Sequence, residues 1–221
     1  ETNAAALPRQ ELWLFGATIF LGAFLLFQVQ PIIGKYILPW FGGTPGVWTT
    51  CLLFFQCLLL GGYAYAHGLS QLAPRKQARI HLTLLAIMGV ILGAAVLLMM
   101  AGFQPIEWLK PDPATAAGRP VLGILMLLGA GIGLPYLVLS STGPLIQSWF
   151  ARKHEGRSPY RLYALSNVGS LLALVTYPFL VEPFTTRGLQ VGAWALGMVI
   201  FAWVCSSVAR GIRQLPGADA Q

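Results

Sequence analysis

The stretch Leu12–Leu38, LWLFGATIFLGAFLLFQVQPIIGKYIL, decides how the chain must be read. It holds one charged side chain, Lys35, in 27 residues. A helix crosses the hydrocarbon of a bilayer in about 20 mostly apolar residues. A soluble core helix alternates apolar and charged faces instead. This segment therefore predicts a membrane span.

Five more segments of the same kind follow: Val47–Ala66, Ile80–Ala101, Val121–Ile146, Tyr160–Val181 and Leu189–Val208. The breaks between them, at Pro39–Pro45, Leu72–Arg79, Phe103–Pro120, Arg152–Pro159 and Glu182–Gly188, collect turn-forming residues. The expected architecture is all-α. It is a polytopic membrane bundle of six transmembrane helices over residues 12–208, with tails at 1–11 and 209–221. Composition agrees, since 56% of residues are apolar, 10% are charged and the mean hydropathy is +0.68. Soluble domains carry about 25% charged residues.

The net charge of +7 lies in short connections between apolar runs, a topology signal and not a nucleic-acid footprint. With the N-terminus inside, ten basic residues fall inside: Arg9, Arg75, Lys76, Arg79, Arg152, Lys153, Arg157, Arg161, Arg210 and Arg213. Four, Lys35, Lys110, Arg119 and Arg187, fall outside. Both termini are expected in the cytoplasm. Trp13, Trp40, Trp48, Trp108, Trp149 and Trp194 sit near span ends, where interfacial anchors belong. Cys51, Cys57 and Cys205 lie inside apolar runs and read as small packing residues. The chain opens at Glu1 without methionine, so residues are expected to be missing ahead of it, and no signal peptide is visible.

Gln30-Pro31-Ile32-Ile33 and Gly143-Pro144-Leu145-Ile146 resemble each other at a spacing of 113 residues. With six spans the two passages run in opposite directions. That suggests an inverted three-plus-three repeat, a transporter signature with solute handled between the repeats. A chance match of proline-broken helices is the alternative.

Polar residues inside spans usually face protein or a cavity. On span five, Tyr160, Tyr163, Asn167, Ser170 and Tyr177 fall within an arc of about 100°. Span two carries Gln56, Tyr63 and His67 on one face. Span one carries Gln28 and Lys35 seven residues apart, and span four aligns Tyr136, Ser140 and Gln147. The expected binding residues are Gln28, Gln56, Tyr63, Asn167, Ser170, Tyr177 and Glu182, lining one shared cavity for a small polar or cationic ligand. Interhelical hydrogen bonding is the plainer reading of each residue taken alone. Lys35 and Glu182 are expected either to pair across spans one and five or to reach the headgroups, snorkelling being the preferred reading for Lys35, and Glu182 is the acidic residue adjoining the stripe.

Gly129-Ala130-Gly131-Ile132-Gly133 lies inside an apolar span, so it reads as close helix packing and not as a nucleotide loop. His67, His81 and His154 lack the carboxylate and thiolate partners of a metal site. No cofactor, metal or catalytic residue is expected, and the chain is read as leaning away from being an enzyme.

Longer strings complete the reading. Phe27-Gln28-Val29-Gln30-Pro31, Leu38-Pro39-Trp40-Phe41-Gly42-Gly43-Thr44-Pro45-Gly46-Val47-Trp48 and Leu162-Tyr163-Ala164-Leu165-Ser166-Asn167-Val168-Gly169-Ser170-Leu171 are their core. Together they resemble a bacterial membrane family labelled fused MFS/spermidine synthase, over about residues 12–205. The resemblance implies the bacterial inner membrane and half of an MFS-like transporter. The aminopropyltransferase domain of longer relatives has no counterpart here. The expected function is a transporter-like module binding a small polar or cationic, polyamine-related solute between its repeats. The alternatives are an accessory or anchor subunit of a larger membrane complex, and the membrane part of a transferase whose catalytic domain lies elsewhere. Expected partners are membrane lipid, a second copy or other membrane subunits and the solute, with no nucleic acid.

Overall fold

A computed structural model of the chain describes residues 9–112, 118–154 and 158–214. Among them six helices are long and apolar enough to cross a membrane, the pattern of a multi-pass membrane protein, and no strand occurs. They are α1 (Arg9–Phe41), α2 (Pro45–Ser70), α3 (Pro74–Met100), α4 (Pro120–Lys153), α5 (Tyr160–Phe184) and α6 (Arg187–Arg213). A short 3-10 turn, Pro105–Leu109, lies between α3 and α4.

Most of the helices outrun the apolar windows that announce them. Proline opens α2, α3 and α4, where its missing N–H would have had no intrahelical partner. The helix start at Pro74 absorbs Arg75, Lys76 and Arg79, expected as a turn. Ala209–Arg213, expected as tail, is the last turn of α6. The proposed terminal segments 1–8 and 215–221, and Arg157, lie outside the described residues. Gly42 (φ +88°) ends α1, donating its N–H to Leu38 O in a left-handed conformation that glycine adopts without strain.

Two spans contain a π-helical turn, Gly129–Gly133 in α4 and Tyr177–Val181 in α5. Each adjoins a proline, Pro135 or Pro178, whose ring would collide with the carbonyl four residues back. Widening the helix there relieves the collision. The glycine run is thus a π-turn and not a packing seam. Gly131 approaches the Leu109 side chain, while Gly129 and Gly133 meet no neighbouring helix within 4 Å.

The helices alternate in direction. Glu11 at the start of α1 meets Lys153 at the end of α4 (2.9 Å), and Lys153 approaches Gly211 of α6. At the opposite face Lys35 of α1 meets Glu182 of α5, and Arg187 of α6 lies over the Tyr36 ring. Both ends of the described chain therefore share one face, called here the terminal face.

α1 is the hub. It packs against α4, α5 and α6, while α2 packs on α4 and α3 on α6. Neighbours in sequence touch little; α2 and α3 meet only briefly. The core includes two tryptophans expected at the membrane interface. Trp149 is fully buried and donates to Gln77 Oε1 (2.8 Å), and Trp194 donates to Leu25 O (2.9 Å). An indole whose N–H finds a protein acceptor can be buried whole, so position near a span end did not decide its place. Trp13, Trp48 and Trp108 are exposed. Cys51 and Cys205 are buried, but Cys57 is exposed on α2, contrary to its reading as packing.

Candidate functional site: a polar groove between α2 and α5

Two close helix approaches create the site. A Cβ on Gly62 of α2 would lie 2.9 Å from the backbone nitrogen of Ser141 in α4. A Cβ on Gly169 of α5 would lie 2.6 Å from Phe20 O in α1. Glycine at each point lets the backbones meet, as small residues do in membrane bundles. α2 is thereby pinned to α4 and α5 to α1. No comparable packing joins α2 to α5. Between the two pinned pairs a groove of about 440 Å³ remains.

Its floor is α1 and α4, and its walls are α2 and α5. Gln30 donates to Tyr136 Oη across the floor (3.3 Å), and the Phe55 ring stands 5.1 Å from that of Tyr136. Ser140 donates to Leu137 O and to Leu58 O, fastening α4 to α2 beneath the wall. Ser170 donates to Ser166 O within α5. Four wall side chains, Gln56, Tyr63, Tyr163 and Asn167, have no hydrogen-bond partner among the described residues, and all are exposed to the groove side. No lining side chain is ionisable apart from the tyrosines.

Of the residues expected to share one cavity, Gln56, Tyr63, Asn167 and Ser170 line this groove. Gln28, Tyr177 and Glu182 do not. Gln28 lies on the other side of α1, buried, donating to Ala173 O (3.1 Å) and Thr176 Oγ1 (3.2 Å). Residues two apart on a helix differ by about 200°, so Gln28 and Gln30 face opposite ways. Tyr177 donates to Gln190 Oε1 on α6 (3.1 Å). Glu182 accepts from Lys35 at 3.2 Å, and the Lys35 ammonium lies 5.8 Å from the Tyr177 ring centre. Lys35 is thus an ion-pair partner and does not snorkel, because the end of α5 brings a carboxylate within reach. The single shared cavity is corrected to a four-helix groove on one side of α1 and a satisfied polar seam on the other.

Gln30, Tyr136, Tyr163 and Ser166 complete the groove. The face Ile19, Ala23, Leu26 and Gln30 on α1 repeats at helical spacing, a signal that would have placed Gln30 there.

The histidines are elsewhere. His67 is exposed at the end of α2, and His154 lies 3.8 Å from Glu11 at the terminal face. His81 is fully buried, its Nδ1 3.3 Å from Tyr65 Oη and its Nε2 3.7 Å from Cys205 Sγ. Among the described residues no group of three histidine, cysteine or acidic side chains could hold a metal. The groove offers amides, hydroxyls and aromatic faces, groups that donate and accept hydrogen bonds without formal charge.

No family model, curated protein or solved structure matches the chain. The resemblance to the MFS/spermidine synthase family rests on its quoted motifs alone.

Proposed function

We propose that the chain is a transporter-like membrane module that binds a small polar solute or a singly charged cation in the groove between α2 and α5. The observation that carries this reading is the pair of unpartnered amides on opposite walls of the groove, Gln56 near the middle of α2 and Asn167 in the first third of α5. Amides left without partners in hydrocarbon are costly, so they face water or a ligand. Tyrosine and phenylalanine faces in the same walls suit a cation. The groove holds no carboxylate, so a polyamine with several charges would sit there uncompensated.

The packing pattern supports an inverted repeat. Exchanging spans one to three with four to six turns the α1–α5 contact into α4–α2 and leaves α1–α4 and α3–α6 unchanged, whereas the α1–α6 contact has only a brief α3–α4 counterpart. Pro31 and Pro144 stand ten and nine residues before their helix ends, 41 − 31 and 153 − 144. The cluster of basic residues at the terminal face supports placing that face in the cytoplasm, in the bacterial inner membrane.

Cysteines introduced at Gln56 and Asn167, in a chain with its three native cysteines replaced by serine, test this. Both are expected to react with a membrane-impermeant thiosulfonate, and a solute that binds is expected to slow both. Tetramethylammonium and spermidine are the discriminating probes, the first expected to protect better. Unreactive cysteines at both positions would sink the reading.

A second reading has its own observation. Tyr163 in the groove wall is 58% exposed, and Tyr160 at the start of the same helix is 79% exposed. An accessory subunit whose groove is covered by another membrane chain would also shelter them. Site-directed crosslinking from Tyr163 in native membranes separates the two: discrete adducts to one protein favour the accessory subunit, lipid adducts alone the transporter module.

A further inference from the structure

The glycine run of α4 has no part in the groove; it borders another cavity. About 220 Å³ lies enclosed by α1, α3, α6, the 3-10 turn and the π-turn of α4. Its walls include Ile32, Leu92, Met99, Ile106, Ile132 and Trp194. The polar atom among these, Trp194 Nε1, already donates to Leu25 O. Such walls are predominantly apolar and offer water few partners.

The cavity lies near the face opposite the terminal face, under the 3-10 turn as a roof. α3 meets α4 chiefly at the other end of the bundle, where Gln77 bonds Trp149. Between α3 and the π-turn the cavity is bordered by exposed residues: Ile91 on α3, Ala130 on α4 and Trp108 on the roof. That border faces the bilayer side of two membrane-crossing helices. The π-turn supplies small residues there, Gly129 having no neighbour within 4 Å of a built Cβ.

We infer that this cavity takes one acyl chain of a membrane phospholipid, entering sideways between α3 and the π-turn of α4. What can reach the opening is what the bilayer holds, and what the walls accept is hydrocarbon. The exposed Trp108 stands at the rim, where an amphipathic indole suits the headgroup boundary.

The test reconstitutes the full chain in phosphatidylcholine nanodiscs with a phosphatidylcholine carrying a diazirine at the end of one acyl chain. Labelling is expected to be several-fold stronger on peptides holding Ile91–Met99 and Gly129–Ile132 than on the exposed Phe179 and Leu180 of α5. Ala130→Phe puts a ring in the opening and is expected to abolish that excess while α5 labelling and monodisperse elution stay unchanged. On the unaltered chain, unlabelled phosphatidylcholine is expected to compete and glycerophosphocholine, which has the headgroup without the chains, is not. Even labelling across all bilayer-facing helices overturns the inference. So does competition by glycerophosphocholine, or an excess that survives Ala130→Phe in a folded chain.

Discussion

Gln28 and Gln30 stand two residues apart on α1 and live in different surroundings. Gln28 is buried against α5, its side-chain amide donating to Ala173 O and Thr176 Oγ1. Gln30 looks the other way, into the groove, where its contact is the adjustable hydroxyl of Tyr136. The same side-chain chemistry serves cohesion on one side of the helix and an open polar surface on the other. What separates them is whether a backbone comes close enough to satisfy the amide. Gly169 brings α5 within reach on the seam side, and nothing closes the gap between α2 and α5 on the groove side.

The strongest way to break this contrast is to push the seam apart. Gly169→Val places carbon where Phe20 O stands, and overpacking of this kind costs about 3 kcal/mol. A large fall in the detergent melting temperature, read by fluorescence-detected gel filtration, is expected; an unchanged melting point would mean α5 does not rest on α1 here. Gln28→Leu comes next. It removes the Gln28 donor from Ala173 O, which keeps the Tyr177 N–H, and is expected to cost about 1 kcal/mol of stability, with solute protection of Gln56→Cys intact. Asn167→Leu reverses that signature: solute protection disappears and the melting point holds or rises slightly, since the amide has no partner to lose. A drop in stability equal to that of Gln28→Leu would erase the distinction between the two sides. The smallest effect belongs to Lys35→Met. The pair with Glu182 is partly exposed on both sides (25% and 50%), and such pairs contribute about 0.5 kcal/mol. A melting shift beyond that of Gln28→Leu would show the ion pair to be more than a fastening at the end of α5.

The spans were legible because hydrocarbon thickness sets a length that residues 12–38 and their five counterparts satisfy. The helix ends were not, since a helix continues past the bilayer boundary with charged residues such as Arg75 and Lys153. Periodicity placed Asn167 and Ser170 on one face of α5. It also admitted Tyr177, because an arc of about 100° is wide enough to touch two neighbours: one edge faces the groove and the other faces α1 and α6. Which neighbour a face meets is set by partner helices, and a single helix's pattern holds no record of them. The same limit explains Trp149 and Trp194. Their place near span ends suited an interface, but Gln77 Oε1 and Leu25 O, far away in sequence, gave their N–H groups a home inside.

The hub position of α1 bears on how the protein is made. Of the six spans α1 leaves the ribosome first, and its partners lie on the last three, at Lys153, Ala173 and Trp194, separations of 142, 145 and 169 residues. Until those arrive, Gln28 has no acceptor and Leu25 O no indole donor. Spans one to three share little packing among themselves and cannot settle as a unit in the meantime. The first three helices therefore have little to assemble on until α4 emerges to meet α1 and α2, and the α1 contacts are complete only with α5 and α6. A chain stopped after Met100 would leave three inserted but unassociated helices for quality-control proteases.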